Sequence, residues 1–310
     1  MNPGHTQEIE RAIAKLTSVQ EGAGFFAVLD VVALGKEAIP LLRQVLFERE
    51  PSGLCQARCS AVAALAALGA SDVLIDFLET ELLFTDPVGR AGEDAVINAA
   101  AGVLPNVHEP RVFALLVRLA RSSPLTGVIG ALGASGRPQA IPMLIDALED
   151  DASRPVAEAA LRRFGKRAEG ALLDAATTQR PAPEGESASS ARKRQSALGL
   201  LAEIDVTRQT WPILRQLMGD TDEKIATLAS EICLGCALAV ERSKAVRRLI
   251  DLLAHEDRTR RDESKRLLIS HFAVTSGPIA TYLREGPPAG EDARKRRQTE
   301  VILRRIMSRA

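Results

Sequence analysis

Rings are scarce in this chain. Only 3% of its 310 residues are aromatic, with a single Trp (Trp211) and a single Tyr (Tyr282). A β-sandwich draws on aromatic and β-branched residues at alternating positions, and that supply is missing. No stretch approaches 18 uninterrupted apolar residues, which argues against a membrane-spanning helix. The opening MNPGHTQEIER lacks the basic and apolar regions of a secretory signal. Cysteine is limited to Cys55, Cys59, Cys233 and Cys236. Without an export signal these are expected to be reduced thiols, and the protein cytoplasmic.

Net charge is also absent, because 40 basic side chains balance 40 acidic ones. The balance hides a gradient. Residues 1–100 carry 7 basic and 14 acidic groups, residues 101–240 hold 16 of each, and residues 241–310 hold 17 basic and 10 acidic. An elongated chain with this order is a charge dipole, acidic at its start and basic at its end.

What the chain has in quantity is Ala and Leu, arranged in a repeat. Leu34–Leu46 reads LGKEAIPLLRQVL, and LGASGRPQAIPMLIDALEDD at residues 132–151 restates it. The helix-ending pair recurs as Leu34-Gly35, Leu68-Gly69, Leu104-Pro105, Leu132-Gly133, Phe164-Gly165, Ile204-Asp205, Leu238-Ala239 and His271-Phe272. The steps stay near 34 residues. A period of this size marks a helical hairpin too thin to bury its own apolar stripe, so stability comes from stacking neighbours. Pro40, Pro142, Pro212 and Pro278 fall at one repeat position, read as the first turn of each second helix, where proline is tolerated.

The pattern predicts first helices over about 22–34, 54–68, 92–103, 124–133, 153–164, 190–203, 222–238 and 259–272. Second helices follow over about 37–48, 72–83, 109–121, 138–149, 167–178, 208–218, 243–254 and 277–285. Ser123 and Ser153 are candidate N-caps; Gly35, Gly69, Gly133 and Gly165 are candidate stops. Residues 5–20 and 291–309 read as capping helices. No strand is expected. The one interruption is residues 179–189, rich in Pro, Gly and Ser, about six residues beyond the period and read as a surface loop.

The LG-x₃₋₇-AIP-x-L-I/L-x-x-L pattern resembles the HEAT repeat, in the short bacterial form named after phycobilisome lyases. The resemblance covers about residues 22–285. It implies an all-α fold: a single right-handed α-α superhelix, or α-solenoid, of about eight helix pairs over residues 1–310, with second helices lining the concave side. It does not fix a function, since the repeat serves scaffolds, lyases, hydroxylases and DNA-repair enzymes alike.

Each candidate chemistry has a plainer alternative. The cysteine pairs carry metal-ligand spacing, but five repeats separate them in a solenoid, so they read as small buried hydrophobes. HEAT-type metal-dependent hydroxylases are marked by His-Glu pairs on successive repeats. Here His108-Glu109 and His255-Glu256 stand 147 residues apart without companions. Nothing resembles a bilin pocket with aromatic and Arg/Asp lining. No catalytic set and no cofactor are therefore expected.

Basic residues cluster as Lys244, Arg247, Arg248; as Arg258, Arg260, Arg261, Lys265, Arg266; and as Arg294, Lys295, Arg296, Arg297. They could track nucleic-acid phosphates or an acidic partner. Asp257, Asp262, Glu263, Glu291 and Asp292 interleave with them, which fits a solvated helix face equally. One column of the repeat is mostly polar: Gln44, Asp76, Arg118, Asp146, Ala175, Gln216, Asp251 and Tyr282. It predicts a ladder facing a protein partner, or simply a solubilising row. The full-length repeat, with no catalytic set beside it, thus favours a non-enzymatic scaffold binding protein partners, with nucleic-acid binding as the alternative and head-to-tail self-association as a further expectation.

Overall fold

Ala- and Leu-rich segments of six to seventeen residues, punctuated by Gly, Pro and Asp, fold as short helices joined by tight turns. The computed structural model describes residues 3–16, 23–48, 55–80, 86–104, 109–183, 185–236, 239–285 and 293–309. In chain order the helices are α1 (Pro3–Leu16), α2 (Ala23–Ala33), α3 (Ile39–Phe47), α4 (Gln56–Ala67), α5 (Ser71–Glu79) and α6 (Pro87–Gly102). Then come α7 (Pro110–Ser122), α8 (Thr126–Ala134), α9 (Ile141–Asp146), α10 (Arg154–Phe164), α11 (Glu169–Thr177) and α12 (Ala188–Ala202). The last are α13 (Trp211–Leu217), α14 (Glu223–Leu234), α15 (Ala239–Leu252), α16 (Arg258–Ser270), α17 (Phe272–Glu285) and α18 (Ala293–Arg309). The fold is all-α, and its hairpins follow the expected order.

The chain divides into two compact units, Met1–Phe164 and Gly165–Ala310. In the first, α2, α4, α6, α8 and α10 stack in sequence, and α3, α5, α7 and α9 stack beside them. The end helix α1 packs on α2, α3 and α4. In the second unit α12, α14 and α16 stack, α15 packs on α17, and α18 lies on α17. Leu303 and Ile306 of α18 are buried, as a capping helix requires. Each hairpin contributes fully buried aliphatics such as Leu42, Leu65, Leu116, Leu144, Leu198 and Leu249. Burying one such side chain contributes roughly 1.5–3 kcal/mol.

Small residues let the first helices approach closely. A Cβ on Gly127 of α8 would stand 2.0 Å from the carbonyl oxygen of Asn98 on α6. The Asn98 side-chain Oδ1 accepts from the Gly127 N–H at 2.5 Å and from the Thr126 hydroxyl at 3.0 Å, tying the helices together. A Cβ on Gly133 would meet that of Ala160 at 2.5 Å. Gly133 is therefore a packing residue rather than a stop: α8 runs on to Ala134, and Gly136 takes the positive φ of 61°. Gly35, Gly69 and Gly165 do adopt the left-handed conformation expected of helix ends.

Three helix boundaries and the inserted segment differ from what the repeat predicts. Ser123 closes α7 and does not cap α8, whose N-cap position is Leu125. Ser153 stands before α10, but its hydroxyl donates to Asp150 at 2.6 Å instead of capping. Pro278 lies inside α17, because that helix begins five residues earlier than its period implied. Pro40, Pro142 and Pro212 are in first turns. The inserted segment is not a plain loop. Pro181–Ala182 (β1) pairs antiparallel with Gly185–Glu186 (β2), in the register Pro181↔Glu186 and Ala182↔Gly185.

A buried arginine fastens that hairpin. Arg194 of α12, 1% exposed at its side chain, donates from Nε to the Ala176 carbonyl at 2.9 Å. Its Nη1 pairs with Glu186 at 2.7 Å, and its Nη2 with Asp220. Arg58 of α4 does the equivalent work in the first unit. Its Nε reaches the Leu46 carbonyl at 2.8 Å and its Nη1 reaches Glu93 of α6 at 2.6 Å. The carbonyl lies 12 residues back in one case and 18 in the other, so the six-residue insertion leaves the strut in register. Each guanidinium satisfies a helix-end carbonyl that the helix itself leaves open. Losing one partner of such a buried pair costs about 3–5 kcal/mol.

Candidate protein-binding surface

The second helices bury aliphatics at i, i+3 and i+4 and leave polar residues outside. In α7, PRVFALLVRLARS, the residues Val112, Leu115 and Leu116 enter the core, while Arg111, Ala114, Arg118 and Arg121 remain exposed. Along the first unit Gln44, Asp76, Arg118 and Asp146 are all exposed, one on each of α3, α5, α7 and α9. Cross-links run between neighbours: Arg43 pairs with Asp76 at 3.5 Å, and Arg111 grips Glu79 with two bonds of 2.9 and 2.7 Å. That grip holds the Glu79 carboxyl below its ordinary value. Arg118 reaches back to the carbonyls of Leu78 and Glu79 at 3.3 and 3.5 Å, closing the end of α5.

In the second unit Gln216 and Asp251 are exposed. Asp251 pairs with Arg247 at 3.4 Å. Two members of the column leave it. Ala175 is buried, and its neighbour Asp174 takes the surface. Tyr282 is 5% exposed, its ring under the Arg247 guanidinium at 4.7 Å. The early start of α17 frees its helical phase from the simple period, so counting thirty-odd residues onward lands on the core side.

Several members of the basic clusters are paired within the chain, mostly at the surface. Arg258 pairs with Asp262 at 3.5 Å, Arg260 with Asp257 at 3.8 Å, and Arg296 with Glu300 at 3.0 Å. Arg261 donates to the carbonyls of His255 and Glu256 at 2.6 and 2.7 Å. Arg247 and Arg248 are half-buried; Lys244, Arg266, Lys295 and Arg297 are exposed, and Lys265 is half-buried. The Arg294 side chain lies outside the described residues. Lys224, Arg258, Arg260 and Arg266 share a shallow pit of about 830 Å³ with Asp257, Asp262 and Glu263. Opposite charges thus alternate on this face, and phosphate would compete with carboxylates already in place.

His255 is likewise committed. Its Nδ1 accepts from the Asp257 N–H at 3.0 Å and its Nε2 lies 2.8 Å from a Glu223 carboxylate oxygen, so both ring nitrogens are occupied. His108 falls outside the described residues. Cys233 and Cys236 are buried, and burial foremost pushes the Cys233 thiol up to about 12. Cys55 and Cys59 are half-buried; burial foremost, then the neighbouring Cys55, raises the Cys59 thiol to about 11. Thiols held this far above neutral are poor nucleophiles and ligands. Among the described residues no three His, Cys, Asp or Glu side chains gather to hold a metal ion, and no helix is long and apolar enough to cross a membrane.

The polar column did not reveal a feature beside it. Phe113, Ala114 and Val117 floor an open groove of about 600 Å³ on α7, rimmed by Arg118, Arg121 and Ser122. The guanidinium of Arg137 lies 5.0 Å from the centre of the Phe113 ring. The signal was present as arginines at 111, 118 and 121 on a helix without a carboxylate.

No protein-family model matches this chain, and no curated protein does. Among solved structures, human deoxyhypusine hydroxylase in complex with glycerol is similar over 88% of this chain and 97% of its own, at 15% identity and a TM-score of 0.28. The complex of CpcE and CpcF of phycocyanin lyase from Nostoc is similar over 97% and 94%, at 15% identity and a TM-score of 0.25. A computationally designed self-assembling cyclic homo-oligomer matches over 99% and 94%, at 13% identity and a TM-score of 0.15. Similarities of this grade transfer neither an activity nor a ligand to this chain.

Proposed function

We propose that this chain is a non-enzymatic scaffold that binds a protein partner along the exposed faces of its second helices. The observation that carries the reading is the row formed by Gln44, Asp76, Arg118 and Asp146, each exposed on adjacent, mutually packed second helices. A rigid row with one polar side chain per hairpin offers an extended protein segment a regular set of hydrogen-bonding and charged contacts. The likeness to phycobilisome-lyase repeats supports the architecture and leaves the partner open.

Site-specific photocrosslinking tests it. A benzophenone side chain is placed at Gln44 or Asp146, and for comparison at Ala63 of α4 or Arg90 of α6, which are exposed on first helices. The expected outcome in the host is one discrete protein adduct from the row and none from the comparison positions. Equal labelling from both sets, or none from the row, sinks the scaffold reading.

A further inference from the structure

We infer that the outer face of α18 tracks phosphates, and that it binds the backbone of a nucleic-acid duplex without reading its sequence. This is a second binding activity and does not depend on the scaffold reading. It rests on the charge of α18, on how few of its cations are committed elsewhere, and on the cleft it forms with α17.

The sequence of α18, ARKRRQTEVILRRIMSR, holds seven basic residues, six of them arginine, against one carboxylate, Glu300. Glu291 and Asp292 precede the helix, and residues 291–309 still hold seven basic and three acidic groups. Glu300 is taken by Arg296 at 3.0 Å. Lys295, Arg297, Arg304 and Arg305 are exposed, and none of these four side chains has an ion pair or hydrogen bond among the described residues. The helix beneath supplies no carboxylate either. α18 lies on α17, whose one acidic residue, Glu285, stands 3.9 Å from Arg284. Around α16, by contrast, Asp257, Asp262 and Glu263 interleave with the cations. A face that serves solubility mixes both signs, as that one does. The outer face of α18 shows one sign.

Spacing fits a phosphate backbone. Arg297, Arg304 and Arg305 stand at i, i+7 and i+8, within an arc of roughly 100° of the helix, with Lys295 at its start. Arg297 and Arg304 are about 10 Å apart along the axis, close to three steps of a duplex strand at about 3.4 Å each. Arg284 of α17 and Arg304 both line an open cleft of about 520 Å³, together with Ala280, Leu283, Met307 and Ser308 and without a carboxylate. The guanidinium fork suits phosphate oxygens, which it holds with two parallel bonds.

Charge density selects the occupant. A duplex carries one negative charge per about 1.7 Å of axis, so the roughly 15 Å from Lys295 to Arg305 faces about nine phosphates. An extended chain made wholly of Glu carries one per roughly 3.3 Å, half as dense. A second copy of this chain offers less, since Met1–Phe164 spreads 20 acidic against 14 basic residues over a whole unit. A membrane surface takes up apolar side chains, but Leu303 and Ile306 are buried in the fold and Val301 alone stands exposed among the large aliphatics of α18. Single strands are held by stacking on aromatic side chains, and α18 has none.

The test is fluorescence anisotropy of the full chain with a fluorescein-labelled, twenty-base-pair DNA duplex of mixed sequence. Three to four phosphate contacts give a log–log salt slope of about −3 to −4, a loss of about 40- to 150-fold in affinity between about 50 and 200 mM salt. Arg304→Gln with Arg305→Gln should weaken binding about tenfold at the lower salt and reduce the slope by about two. Both positions are exposed, so thermal unfolding of this variant should match the parent. Arg258→Gln with Arg260→Gln removes the same formal charge from α16, where carboxylates stand beside both, and should change affinity by less than about threefold. Unlabelled duplexes of unrelated sequence should compete equally. No binding at the lower salt, binding indifferent to salt, or equal losses from the two double variants overturns the inference. So does competition by polyglutamate that matches duplex at equal charge, which would assign the face to an acidic protein, or tighter binding to phosphatidylserine vesicles than to duplex, which would assign it to a membrane.

Discussion

Gly133 shows how much a single missing side chain decides. With a hydrogen in place of Cβ, α8 settles against Ala160 of α10; a methyl group there would sit 2.5 Å from the alanine Cβ, well inside contact distance. Gly133→Ala is therefore expected to destabilise by about 1–3 kcal/mol, the usual cost of overpacking a tight interior. Gly170 of α11 is the control, since a Cβ there meets nothing within 4 Å. Gly170→Ala should be neutral or stabilise by up to about 1 kcal/mol through helix propensity. Urea titrations of the two variants decide between them: equal midpoints would mean the α8–α10 contact relaxes freely. The same residue shows where sequence reading stops. Leu-Gly at a helix end is common to stops and to packing sites, and only the neighbouring helix distinguishes them.

At the scale of one element, Glu169 at the head of α11 acts as a latch. Burial pushes its carboxyl up, but bonds from the Thr210 hydroxyl at 2.6 Å, the Thr207 N–H at 2.7 Å and the Thr207 hydroxyl at 2.9 Å outweigh it and hold the group below its ordinary 4.5. A depressed carboxyl binds fewer protons folded than unfolded, so its contribution is complete above the unfolded value and is lost as pH falls through the folded one. At pH 7 the parent should exceed Glu169→Gln by about 1 kcal/mol, and the gap should begin to narrow as pH drops below 4.5 and close only below the lowered folded value. A gap that stays constant from neutral to acid would show that the carboxylate charge is not what the threonines hold.

Hairpin order was legible in the sequence because helix ends and apolar stripes recur with the repeat, and that periodicity is a local property. The struts were not. Arg58, Glu93, Arg194 and Asp220 read as surface charges in any one-dimensional pattern, and they become buried partners only when adjacent hairpins meet. Tyr282 failed for a related reason: the column was counted by period, whereas its helix is phased by where α17 begins. The exposed row, by contrast, was readable for Gln44, Asp76, Arg118 and Asp146, because each sits just beyond an apolar run whose burial sets the phase.

For the whole molecule the separation of charge has a consequence in solution. Met1–Phe164 carries 14 basic and 20 acidic residues, and Gly165–Ala310 carries 26 and 20, so balances of −6 and +6 reside in separate compact units. Within one molecule these balances cancel; between molecules, the acidic unit of one attracts the basic unit of the next. The attraction is modest, because each balance is only six charges spread over a whole unit. What survives is long-ranged and screened by salt, with a Debye length falling from roughly 20–30 Å at low ionic strength to about 8 Å at physiological strength. Sedimentation velocity should therefore show a coefficient that rises with protein concentration in about 20 mM salt and is flat in about 300 mM salt. A concentration-independent monomer in both buffers would mean that balances of this size are too weak to hold two copies together. Association persisting at high salt would point instead to an apolar contact, of which the open floor of the α7 groove is a candidate, and Ala114→Glu should then abolish it.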